Sequence, residues 1–180
     1  MNSMTWSSPE SLTWRQTGKL ESELLAGGDL VGTLRWEKGR GTRATGESTE
    51  GSWTFTRMGF LTPKIVAHAS GSKTSSATLT MKWRGGGVIE FPTGRSFRFA
   101  PKGFWRSEWS LTDPDQKRLL TIRPNFAWGT VGTSVDVEPA AQSIQELPLL
   151  EILCWYTILL LSNDNPDGAV VASLVATGTI

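Results

Sequence analysis

Five basic residues, Lys38, Arg40, Arg43, Lys82 and Arg84, fall at turns or on outward strand positions of this 180-residue chain. Basic side chains so placed can hold phosphate or an anionic lipid surface, each contributing about 1 kcal/mol near such a surface. Other reactive side chains are scarce. His68 is the only histidine, it lies in a predicted strand, and no Gly-x-Ser-x-Gly elbow exists to complete a hydrolytic triad. Cys154, the only cysteine, falls in an apolar segment, where a thiol is an inert small hydrophobe. One histidine and one cysteine do not furnish a zinc site of the usual ligand type.

Three further patterns imitate chemistry. Asn163–Gly168 copies the first half of a calcium loop, but its twelfth position is Leu174, where a bidentate Glu is needed. That stretch reads as a helix stop. Gly39–Gly46 lacks the Gly-Lys-Ser/Thr ending of a phosphate loop and reads as a hairpin. Glu151 is the odd acid in an apolar run, and near a helix start it is expected to reach solvent at the barrel mouth. With no catalytic constellation visible, the chain reads as non-enzymatic, with no metal and no cofactor.

The charge is unevenly spread. Residues 1–123 hold all 18 Lys and Arg against 11 acids, a balance of +7, while residues 124–180 hold 6 acids and no base, a balance of −6. The two balances sum to the net +1 of the whole chain. An outer shell built from the first part is therefore net basic, which attracts phosphate or anionic lipid.

The elements that must carry these residues follow from the apolar pattern. Leu147–Leu161 has no polar face apart from Glu151 and Thr157, so a helix there must be surrounded by other material. Fifteen residues fall short of the roughly 20 that span a bilayer. The expectation is a helix sheathed by protein. From Leu12 to Val137 the chain reads as about twelve short strands separated by Gly, Pro and Asp turns. Ala77–Arg84 alternates most clearly, with Leu79, Met81 and Trp83 on the inward face. Leu30, Gly32, Leu34 and Trp36 share a face in another strand. Nine tryptophans, mostly on inward faces, read as core rings rather than as platforms for nucleic-acid bases. The fold class is mainly β: a closed antiparallel barrel of about twelve strands around one hydrophobic C-terminal helix.

The order of strands followed by an apolar helix, with Gly51–Phe55, Ile89–Arg95, Phe104–Trp109 and Leu147–Leu161, resembles the tubby C-terminal-like superfamily. That superfamily includes the LURP-one-related proteins and phospholipid scramblases. The resemblance covers roughly residues 11–162. It implies a binding module for anionic phospholipid or phosphoinositide, without matching the family's contact residues to positions here. The expected contacts, Lys38, Arg40, Arg43, Lys82 and Arg84, follow from their turn and outward strand positions, and the chain length suggests a single domain over residues 1–180. A protein partner, a small-ligand barrel and an enzyme working at the barrel rim are the alternatives, and a barrel filled by its own helix leaves little lumen for a ligand. Nucleic acid is not an expected partner. Residues 163–180 are expected to form a flexible tail. Met1–Trp6 shows no signal peptide, so the cytoplasm, with peripheral membrane attachment, is the expected location.

Overall fold

Short runs that alternate an apolar with a polar side chain make strands half-buried on one face, and twelve of them here close into a ring. The computed structural model describes residues 11–38, 41–103, 106–125 and 132–164. The strands are β1 (Leu12–Gln16), β2 (Glu21–Ala26), β3 (Asp29–Trp36), β4 (Ala44–Ser48), β5 (Gly51–Met58) and β6 (Lys64–Ala69). They continue as β7 (Ser75–Met81), β8 (Gly87–Glu90), β9 (Ser96–Lys102), β10 (Glu108–Thr112), β11 (Arg118–Arg123) and β12 (Thr133–Val137). Each pairs antiparallel with its sequence neighbour, and β1 closes the barrel against β12 through Leu12–Val135 and Trp14–Thr133. Closure leaves no unpaired sheet edge.

An eight-stranded barrel is just wide enough for its own side chains, and diameter grows with strand number. Twelve strands leave room for a helix of about 10 Å diameter. That helix is α1 (Leu147–Asp164), and every residue from Leu147 to Leu160 is buried. It is long and apolar enough to cross a membrane, but here the barrel wall surrounds it. The inward strand residues meet it. Trp14 stacks on Trp155 with ring centroids 5.8 Å apart, and Tyr156 is sandwiched between Trp36 and Phe55 at 4.8 and 5.4 Å.

Four sequence expectations are corrected. Trp83 is fully exposed, because β7 ends at Met81 and Lys82–Gly86 form a turn closed by Lys82 N–H on the Gly86 carbonyl. The same turn holds Lys82 and Arg84, so neither lies on a strand. Leu30 is 56% exposed: a bulge between Leu24 and Leu25 shifts the register with β3, and Val31 is buried instead. A bulge moves side chains to the other face because the strand period is two.

The helix does not stop at Leu161. Ser162 sends its hydroxyl back to the Ile158 carbonyl, and Asp164 still belongs to α1. Glu151, finally, does not reach the barrel mouth. It is wholly buried.

β11 departs from simple alternation, with Leu119 to Ile122 all buried. Leu120 and Ile122 face the core. The outer side is covered by the linker to the helix, where a short 3-10 turn, Pro139–Ala141, follows the bond from Glu138 N–H to the Leu119 carbonyl. The expected tail lies almost wholly outside the described residues, as do Arg40 and the Phe104-Trp105 pair.

Candidate functional site

In a barrel of sequential antiparallel strands, connections alternate between the two rims. The β1–β2, β3–β4, β5–β6, β7–β8 and β9–β10 connections share one rim. The linker from β12 starts at the opposite rim, so α1 runs back and ends at the first. Two ion pairs mark its ends. Arg95, in the β8–β9 turn, holds Glu146 just before the helix at 2.7 Å, and Arg57, near the end of β5, holds Asp164 at 2.5 Å. Tyr156 adds a tie, donating its hydroxyl to the Thr42 carbonyl in the β3–β4 connection. The first rim is thus the one where the helix exits.

The rims differ in charge. Among the described residues, the exit-rim connections carry Lys19, Lys38, Arg43, Lys82, Arg84 and Arg106 against a single acid, Glu37. The opposite connections carry Lys73, Arg95 and Lys117 against Glu50, Asp113, Asp115, Glu138 and Glu146. The exit rim is therefore basic and the far rim mildly acidic. Four of the five residues singled out from the sequence, Lys38, Arg43, Lys82 and Arg84, come together at the exit rim. The fifth, Arg40, lies outside the described residues.

These four are not equivalent. Glu37 holds Arg43 at 3.0 Å, with both side chains at least half exposed. Lys38, Lys82 and Arg84 are exposed and make no ion pair among the described residues. Their charges remain available to an outside anion. An additional cation that sequence reasoning passes over is Arg106. Its guanidinium carbon would lie 3.7 Å from a Cβ placed on Gly85, which brings it beside the Lys82–Gly86 turn. Only the strand order reveals that neighbourhood.

The same rim also displays apolar side chains. Of the five large hydrophobic residues exposed among those described, Met58, Phe60, Leu61 and Trp83 belong to it. Phe60 and Leu61 sit in the β5–β6 connection and Trp83 in the β7–β8 turn.

The remaining candidates stand apart from this rim. His68 is half-buried on the outer face of β6, opposite Thr54. Cys154 is buried in α1, and burial pushes its thiol well above the ordinary range, with Glu151 raising it further. Among the described residues Glu151 finds no hydrogen-bond donor for either carboxyl oxygen, and burial alone pushes its pKa up to about 8. No group of three or more His, Cys, Asp or Glu able to hold a metal occurs among the described residues. At the far rim, a cleft of about 430 Å³ runs between the β8–β9 turn, the β10–β11 turn and the linker, lined by Phe97, Leu119, Lys117 and Ile144 among others.

Compared with known proteins, the chain matches no family model, no curated protein and no solved structure.

Proposed function

We propose that this protein is a non-enzymatic, tubby-like module that docks reversibly on anionic phospholipid through its helix-exit rim. The observation that carries the reading is the gathering of six basic side chains against one acid on the connections of that rim. Four of the rim's connections contribute one or two cations each, the β5–β6 connection none, and closure of the barrel sets them around one mouth. A flat anionic surface can meet all of them at once, whereas a small anion would meet one or two. At about 1 kcal/mol per cation, a handful gives reversible attachment that salt weakens.

Two features favour a lipid surface over a ligand in the barrel. The lumen is filled by α1, whose residues from Leu147 to Leu160 are all buried. The far-rim cleft is lined largely by turn residues of mixed charge and holds no buried, unpartnered polar side chain aimed into it. A protein partner with an acidic face would satisfy the same cations, and the vesicle experiment separates the two.

The test is cosedimentation with vesicles of phosphatidylcholine containing phosphatidylserine or a phosphoinositide, at low and high salt. Binding at low salt, weakened by salt and by the double variant Lys82→Glu/Arg84→Glu, is the expected result. Absence of binding at low salt, or binding indifferent to both charge reversals, would sink the proposal.

A further inference from the structure

We infer that Phe60, Leu61 and Trp83 enter the bilayer's interfacial layer as an apolar wedge; this rests on the lipid reading above and adds a hydrophobic contact to it. Phe60 is 95%, Leu61 93% and Trp83 100% exposed. Side chains of this size standing wholly in water on neighbouring turns mark a surface that something else covers.

Both turns are built rather than slack. Gly59 adopts φ +81°, and a Cβ there would stand 2.9 Å from the Thr62 carbonyl oxygen, so only glycine lets the chain fold back at this point. The tip that results is Phe60-Leu61. In the neighbouring turn, Gly85 N–H bonds to the Lys82 carbonyl, and Gly85 and Gly86 both take positive φ, leaving Trp83 at the tip. The two turns are tied to each other, since Met81 N–H donates to the Pro63 carbonyl at 3.0 Å. One rim segment therefore presents three large apolar side chains on a fixed base.

The surrounding charge identifies the occupant. Lys64 follows the first turn, and Lys82 and Arg84 bracket Trp83, with no acid in either turn. Apolar tips between cations that make no ion pair among the described residues match the layering of an anionic membrane, with headgroup phosphates outside and acyl chains beneath. Tryptophan in particular favours that boundary, where its ring is buried and its N–H stays wet. A second copy of this chain would bring the same cations against these and is disfavoured by repulsion.

The experiment uses the full chain with vesicles of phosphatidylcholine and phosphatidylserine, some carrying brominated acyl chains. It compares the wild type with Phe60→Ser/Leu61→Ser/Trp83→Ser and with Trp83→Phe, after circular dichroism confirms the fold. These side chains touch little of the protein, so the variants should fold. Expected is an affinity loss of at least about 100-fold for the triple variant, since withdrawing even one large side chain from apolar surroundings costs about that much. Also expected is residual wild-type binding at ~1 M salt, where charges are screened beyond about 3 Å. Bromine should quench wild-type fluorescence more than that of Trp83→Phe. Equal affinity of the triple variant and the wild type would overturn the wedge while leaving the electrostatic reading intact. No wild-type binding at low salt would overturn both. Lipid-free self-association abolished by the triple variant would assign the patch to a second copy and also overturn the wedge.

Discussion

Gly46 of β4 and Ile152 of α1 meet so closely that a Cβ on Gly46 would lie 2.5 Å from Ile152 Cγ2 and 2.7 Å from Phe55 Cε2. Here the barrel wall comes down onto the helix, and a hydrogen in place of a methyl is what permits it. The missing methyl sets how closely β4 and α1 can pack at this point. Substituting Gly46→Ala should therefore cost about 1–3 kcal/mol, the usual scale of overpacking in a full core. Gly51→Ala, whose nearest obstacle is the only partly buried ring of Trp53, should cost less. Denaturant midpoints for the two variants check the ranking, and an unchanged midpoint for Gly46→Ala would show that the helix shifts freely.

Cys154 should be silent toward thiol reagents in the native protein. It is wholly buried, and its thiol is held well above the ordinary range first by burial and then by the nearby Glu151. Reaction requires the thiolate, so labelling should occur only through opening of the barrel. Labelling at neutral pH should stay slow without denaturant and become fast beyond the unfolding midpoint. Rapid native labelling would mean that α1 leaves the barrel readily.

The barrel was legible in the chain because period-two alternation marks strands and an all-apolar run of fifteen residues marks a surrounded helix. Where legibility failed, a local event reset the pattern. Alternation over Ala77–Arg84 continues past the true end of β7, so Trp83 looks inward although Gly85-Gly86-Gly87 already signals the turn. The bulge at Leu24/Leu25 exposes Leu30, and nothing in Leu30–Trp36 announces it. Ser162–Asp164 has the composition of a helix stop, but a back-bonded hydroxyl and the Arg57 pair keep it helical. The rim's charge was hidden for a different reason. Lys38 and Lys82 are far apart in sequence, and only knowing that connections alternate between rims brings them together.

Arg43 should matter less to vesicle binding than Lys82 or Arg84. Glu37 already neutralises its guanidinium at 3.0 Å, while the other two have no ion pair among the described residues. Removing a cation that is partly compensated withdraws little net attraction. Single charge-to-alanine variants at the three positions, measured on the same phosphatidylserine vesicles, should rank Arg43→Ala closest to wild type. Glu37→Ala should strengthen binding, because it frees Arg43. If Glu37→Ala weakens binding, the Glu37–Arg43 pair must be positioning the β3–β4 connection rather than competing with the membrane.

Glu151 should make the protein less stable as pH rises from the acid range to about 8. Its carboxyl is wholly buried, has no hydrogen-bond partner among the described residues, and is pushed by desolvation from 4.5 up to about 8. The groups around it offer no compensation. On its own helix Cys154 is the nearest titratable side chain and Tyr156 follows, both held neutral by raised pKa values. Among the described residues no other charged side chain is buried, and desolvation is the one cause of the shift. The native state therefore keeps the proton that the unfolded chain gives up above roughly pH 4.5. Between there and about pH 8 the unfolded state binds fewer protons, so stability falls by about 1.4 kcal/mol per pH unit and levels off above. Replacing the acid with an apolar side chain removes both this slope and the cost of an unpartnered buried carboxyl, about 1–3 kcal/mol. Urea midpoints from pH 5 to pH 9 should decline for the wild type and stay nearly flat for Glu151→Leu, with the variant more stable at pH 8. Parallel curves for the two proteins would show that Glu151 is already ionised inside the barrel, sustained by a water or cation reaching it.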